Sequence, residues 1–130
     1  MTFALVDLKF EGKKANREHT GGFGSFMYAD GVMGKLVSHI KAAMINLPVL
    51  NLAFASAILR HAGHQVTIYD DETRGEDVII IATSMHCYKD EIAFARREKT
   101  RHPQSKVGFF GPFPQTNPQY YQNVADFLLF

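Results

Sequence analysis

The sequence predicts an α/β chain, a doubly wound and mostly parallel five-stranded sheet. Three observations predict it. Val78–Ile81 is an unbroken β-branched run without polar alternation, the mark of a central strand covered on both faces. Two stretches of helical character, 46–63 and 88–102, each lead into a β-rich stretch. The resulting order is strand, loop, helix, strand, strand, helix, strand, helix, strand. Parallel neighbours need crossovers, and right-handed crossovers wind such a sheet in both directions.

Phe3–Leu8 is a short β-type run interrupted at Asp7 and makes the first strand. From Lys9 the composition shifts to charge and glycine, including Thr20-Gly21-Gly22-Phe23-Gly24-Ser25, so 9–46 reads as a long loop or insert within a single domain spanning 1–130. Loops of that length are usually functional or partly disordered. Within it, Met33, Leu36, Val37, Ile40 and Met44 keep helical spacing, although Leu36–Ile40 suits an extended run as well. Pro48 suits a first helical turn, where its missing N–H costs nothing. Leu50, Phe54, Ala57 and Ile58 make that helix's expected apolar stripe, small Ala53 and Ala55 allow close packing, and Gly63 ends it in a left-handed conformation.

His64–Asp70 alternates as a strand and ends in the acids Asp70, Asp71 and Glu72, which read as solvating a strand end. The link from Tyr69 to Asp77 is too short for a crossover helix and is expected to be a tight connection or one degenerate turn. The core strand Asp77–Ala82 follows. Asp90 and Glu91 near the start of 88–102, with Arg96, Arg97, Lys99, Arg101 and His102 near its end, suit the helix dipole, and Pro103 stops the helix. Lys106–Phe110 is a strand, Gly111-Pro112-Phe113-Pro114 a sharp turn, and Asn117-Pro118 opens a short helix through Gln122. Ala125–Phe130 is a last strand. Its second face would be left uncovered, so the fold is expected to lack its last helix and the chain to be a fragment of a longer one.

With 130 residues, 46% hydrophobic and 21% charged, the composition is that of one globular domain. A net charge of +1 with mixed signs gives no basic footprint for nucleic acid. No apolar run approaches the roughly 20 residues that cross a bilayer. The expected setting is therefore soluble and cytoplasmic, without nucleic-acid or membrane partners. The single cysteine, Cys87, excludes an internal disulfide and any cysteine-only cluster among these residues.

Three segments together resemble the N-terminal cobalamin-binding domain of cobalamin-dependent radical S-adenosylmethionine enzymes. Leu47-Pro48 through Ala62-Gly63-His64-Gln65-Val66 is similar to that family's proline-led helix ending in Ala-Gly-His before a valine-bearing strand. Asp77-Val78-Ile79-Ile80-Ile81-Ala82-Thr83-Ser84 resembles its strand closing in small hydroxyl residues, and Lys106-Val107-Gly108-Phe109-Phe110-Gly111-Pro112-Phe113-Pro114 its strand and glycine-proline turn. Ala125–Phe130 is similar to the strand before the family's acidic Gly-Glu segment, which is absent. The resemblance runs from Leu47 to Phe130. It implies a flavodoxin-like, Rossmann-like fold that holds cobalamin against the carboxyl ends of the strands.

The resemblance also implies cofactor-binding roles at Thr83, Ser84, Met85, His86, Gly111, Pro112 and Phe113. Thr83 and Ser84 suit the phosphate and amide groups of a cobalamin tail, and they equally suit capping the next helix. Gly111 permits close backbone approach or a positive φ. Met85, Pro112 and Phe113 could line a corrin face, while His86 could reach cobalt or the corrin edge; ordinary packing explains them as well. The Asp-x-His-x-x-Gly motif whose histidine ligates cobalt in the methionine-synthase type is missing, since Asp7 is followed by Leu8 and Lys9. No Cys-x-x-x-Cys-x-x-Cys motif occurs, so an iron–sulfur cluster and S-adenosylmethionine would belong to a downstream catalytic domain. The histidines and Cys87 show no zinc-type spacing, and no residue stands out as catalytic. Two other classes fit the same residues: a stand-alone nucleotide- or flavin-binding module, and a non-enzymatic interaction domain that docks through 9–46.

Overall fold

A computed structural model describes residues 1–8, 31–34, 36, 50–85 and 87–129. The contacts divide the chain into two units, Met1–Glu11 with Leu50–Phe130, and Gly12–Val49. In the second unit, residues 32–34 and 36 are helical, in keeping with the spacing of Met33 and Leu36. Val37, Ile40, Met44 and most of the 9–46 insert lie outside the described residues.

The first unit is a flavodoxin- and Rossmann-like α/β fold. Strands β1 (Thr2–Val6), β2 (Gln65–Tyr69), β3 (Val78–Ala82), β4 (Lys106–Phe110) and β5 (Phe127–Leu129) form one sheet in the order β2-β1-β3-β4-β5. Every pairing is parallel, where the sequence suggested only a mostly parallel sheet. Helices α1 (Leu50–His61) and α2 (Tyr88–Arg101) make the two long crossovers. The chain moves one way across the sheet from β1 to β2 and the other way from β3 to β4. Right-handed connections therefore set α1 and α2 on opposite faces.

Register explains the core. Ala4, Ile79 and Val107 are paired in one row across the sheet, and Val6, Ile81 and Phe109 in the next. Both rows point to the α2 side and join Ile92, Phe94 and Ala95 of that helix with Tyr121 and Val124. All five residues of β3 are buried, as its unbroken apolar run requires of a middle strand. Each such isoleucine contributes about 1.5–3 kcal/mol relative to an exposed one. On the other face Gly108 is registered with Phe127, and a Cβ on Gly108 would overlap the Phe127 ring.

Helix α1 meets the sheet with a different face from the expected one. Leu52 and Ser56 are buried, whereas Phe54 and Ile58 are each 68% exposed and Ala57 is exposed too. The helix is apolar almost all round, so hydrophobic spacing alone does not choose its inward face. Its end follows expectation. Gly63 takes φ +83°, its N–H donates to Arg60 O at 3.0 Å, and the His64 N–H donates to Leu59 O at 3.1 Å, which is the Schellman arrangement. The Arg60 guanidinium reaches onward to Val66 O at 2.8 Å, on the edge strand β2.

The link between β2 and β3 contains no helical turn. Residues 70–77 run as a strap without helix or strand, bending at Asp70, Asp71 and Asp77. Tyr69 is registered with Val6 and packs on the α2 side, and Thr73 reaches α2 itself, so the strap crosses β1 on that face. Thr73, 5% exposed, donates from Oγ1 and from its N–H to the Glu98 carboxylate, itself 1% exposed. Glu72 pairs with Arg101 at 3.0 Å. Side-chain anchors on α2 thus replace the helix that the short link cannot form.

Two shorter elements close the fold. Pro112–Thr116 is a one-turn helix, α3, where a plain turn was expected; Pro112 presets φ, and neither proline is asked for an N–H in a first turn. Pro118–Tyr120 is a 3₁₀ turn. Asp126 then docks β5, accepting the Val107 N–H at 2.8 Å and pairing with Lys99 of α2 at 3.0 Å. At the amino ends of the central strands β1 and β3, Asp77 Oδ2 accepts the Thr2 N–H at 2.7 Å while Thr2 Oγ1 accepts the Asp77 N–H at 3.0 Å.

Candidate functional site

The carboxyl ends of β3 and β4 lie side by side, because Ala82 is registered with Phe110. The chain leaves β3 through Thr83, Ser84 and Met85, and leaves β4 through Gly111, Pro112 and Phe113. Six of the seven expected site residues therefore share one edge of the sheet. His86 lies outside the described residues.

Thr83 ties the two tips together. Its N–H donates to Phe110 O at 2.9 Å, and its Oγ1 donates to the same oxygen at 3.4 Å. Gly111 faces it with φ +139°, and a Cβ there would stand 3.1 Å from Thr83 O and 3.2 Å from Thr83 Oγ1. Both properties expected of this glycine, positive φ and close approach, are present.

Ser84 braces the turn ahead of α2, whose N-cap residue is Cys87, with no side-chain cap. Its Oγ accepts the Cys87 N–H at 3.2 Å, directly ahead of α2. Its own N–H donates to both oxygens of Glu91, at 3.2 Å each. Glu91 is 0% exposed, so this carboxylate is held inside the turn and not on the helix surface. Cys87 is itself buried. Met85, by contrast, is 60% exposed.

An aromatic wall flanks the β4 tip. Tyr88, Phe113 and Tyr120 stand with ring centroids 5.1 Å (Tyr88–Phe113), 5.1 Å (Tyr88–Tyr120) and 6.2 Å (Phe113–Tyr120) apart. Phe113 and Tyr120 are nearly coplanar in orientation, at 7°, and Tyr120 is 48% exposed. Phe113 also meets the fully buried Tyr121, which packs on Phe109 at 4.6 Å.

Strand order adds a second wall. In a 2-1-3-4-5 sheet the winding reverses between β1 and β3, and ligands settle in the crevice there. Asp7 and Leu8 leave β1 at that point, Asp7 donating its N–H to Tyr69 O at 2.8 Å. No protein-family model, curated protein or solved structure matches the chain.

Sequence reasoning did not single out Glu91, Tyr88, Tyr120 or Leu8 for the site. An acid in the first turns of a helix reads as a surface partner of the dipole, and nothing in its spacing signals burial. The aromatics come from separate elements and converge only once the one-turn helix and the 3₁₀ turn are folded. Among the described residues, no three His, Cys, Asp or Glu side chains gather as a metal-ion site. Among the same residues, no helix is long and apolar enough to cross a membrane.

Proposed function

We propose that the chain is a cobalamin-binding domain that positions the corrin for a radical S-adenosylmethionine catalytic domain carried elsewhere, in the cytoplasm. The observation that carries the reading is the junction of the β3 and β4 tips, where Gly111 lies against Thr83 without a side chain between them. A glycine in that position lets the two strand tips close on each other, at the edge of the sheet where this fold takes its ligands.

The residues fit the group. Beside the Gly111–Pro112 turn, Met85, Phe113 and Tyr120 supply apolar and aromatic surface for a ring system. Thr83, buried and bonded to Phe110 O, would hold the two strand tips together beneath the ligand. The lower face of cobalt would be served without the Asp-x-His-x-x-Gly histidine, because Asp7-Leu8-Lys9 stands where that motif would begin. When bound, cobalamin supplies the organometallic chemistry; the chain supplies orientation and keeps one side of the ring out of water.

The test is direct. Purified protein is mixed with hydroxocobalamin and desalted, and the corrin absorption is read in the protein fraction. Retention near one equivalent supports the reading, and an empty protein fraction counts against it. The aromatic wall would also suit a flavin ring in a stand-alone module, so flavin fluorescence retained in place of corrin absorption would favour that alternative.

A further inference from the structure

The outer face of α2 carries charge that the fold does not use. Lys89, Ala93, Arg96, Arg97 and Thr100 are exposed at the spacing of one helical stripe, opposite the buried Ile92, Ala95 and Glu98. The two remaining cations of the helix are matched, Lys99 with Asp126 at 3.0 Å and Arg101 with Glu72 at 3.0 Å. Lys89, Arg96 and Arg97 have no carboxylate partner among the described residues. The helix dipole gives no reason for their placement either. It favours cations in the last turn, where Lys99 and Arg101 stand, and disfavours Lys89 in the first.

We infer that this face, built on Lys89, Arg96 and Arg97, is a docking surface for an acidic segment of a partner protein. Charge complementarity names the occupant. Lys89 and the two arginines are seven and eight residues apart, or about 11 Å along the helix axis, so two or three carboxylates on a short segment can meet them together. Two of the cations are already steadied by rings. The Arg97 guanidinium carbon stands 5.8 Å from the Phe94 ring centre, and Lys89 Nζ stands 6.0 Å from that of Tyr88. Less side-chain freedom is then lost on binding. Exposed Ala93 lies between them and leaves room for close approach. Carboxylates border the stripe, Asp90 in the first turn and Asp126 at Lys99, so it is too short for a long run of phosphates. The inference goes beyond the corrin reading and does not rest on it.

The experiment titrates the ¹⁵N-labelled full chain with a capped hexaglutamate peptide and follows the backbone amides of α2. Signals from residues 89–100 are expected to shift together, with binding that weakens severalfold as salt is raised from about 50 to about 300 mM. Arg96→Glu combined with Arg97→Glu should weaken binding at least about tenfold. Arg96→Gln with Arg97→Gln serves should the charge reversal not fold. Arg74→Gln removes an exposed cation outside the helix and should leave binding as it is. Amides of α2 that stay in place through millimolar peptide overturn the inference. So does a loss in Arg74→Gln as large as in the double variant, since net charge alone would then be acting. A single-stranded oligonucleotide of matched charge that shifts the same amides at lower concentration overturns it in favour of nucleic acid.

Discussion

Gly111 lies against Thr83 so closely that a methyl group on its Cα would stand 3.1 Å from the Thr83 carbonyl oxygen, in a backbone conformation, φ +139°, that side chains rarely adopt. The two facts reinforce each other. Gly111→Ala should lower stability by about 1–3 kcal/mol, from strain and crowding combined. Urea unfolding measures the loss, and corrin retention should fall in the same variant. An unchanged unfolding midpoint would mean that the two strand tips yield freely, and would remove this junction as a fixed part of the site.

The Gly108–Phe127 contact holds β5 to the sheet. Gly108→Ala forces the ring off β4 and should cost about 1–3 kcal/mol. Phe127→Leu in the same chain should return part of that loss, because the smaller side chain clears the new methyl group. A double mutant whose effects merely add would show that the two positions do not touch.

Asp126 gives β5 a pH-dependent anchor. Partial burial alone would raise its carboxyl, but the Val107 N–H and then the Lys99 ammonium bring it below the ordinary aspartate value. A folded-state value below the unfolded one stabilises the fold above the unfolded value, and that contribution disappears as pH falls through the folded value. Asp126→Asn should therefore cost about 1–2 kcal/mol near neutral pH. The gap to the wild type should close below about pH 4, which paired unfolding curves across pH 3–7 would reveal.

Thr73 pins the strap to Glu98. Thr73→Val keeps the shape and removes the hydroxyl donor, leaving a buried carboxylate short of a partner, at a cost of about 1–3 kcal/mol. Hydrogen exchange should show residues 70–77 losing protection before α2 does. Equal loss throughout would mean that the strap unfolds only with the whole domain.

Most of the fold was legible because the strands and helices carry strong local patterns. The β-branched run of β3, the Gly63 stop and the Pro103 stop each have a local physical cause, and each lies where those causes place it. What was not legible depends on tertiary choice. Leu52 and Ser56 face the sheet in place of Phe54 and Ile58 because a helix apolar on several sides is oriented by its neighbours and not by its own periodicity. The strap at 70–77 has no propensity signature, since its geometry is fixed by Thr73 finding Glu98 across 25 positions of sequence. At the site, both strand tips could be named from their small and hydroxyl residues. Strand order, and with it the place of Asp7 and Leu8, comes from sheet pairing that no local pattern encodes. Capping and ligand contact were both open roles for Ser84; its hydroxyl instead accepts the Cys87 N–H in the turn ahead of α2, whose cap position is Cys87.

The bond from Arg60 to the Val66 carbonyl bears on how this domain behaves in a crowd. An edge strand offers unpaired backbone groups on which another chain can grow, and parallel sheets of this kind have two such borders. At one border β5 contributes only three residues. At the other, the cation at the end of α1 occupies a β2 acceptor and leaves positive charge beside the strand, which discourages a second backbone from adding there. Arg60 thus guards solubility more than it holds the fold. Its loss would show in light scattering at high protein concentration well before it showed in a melting curve.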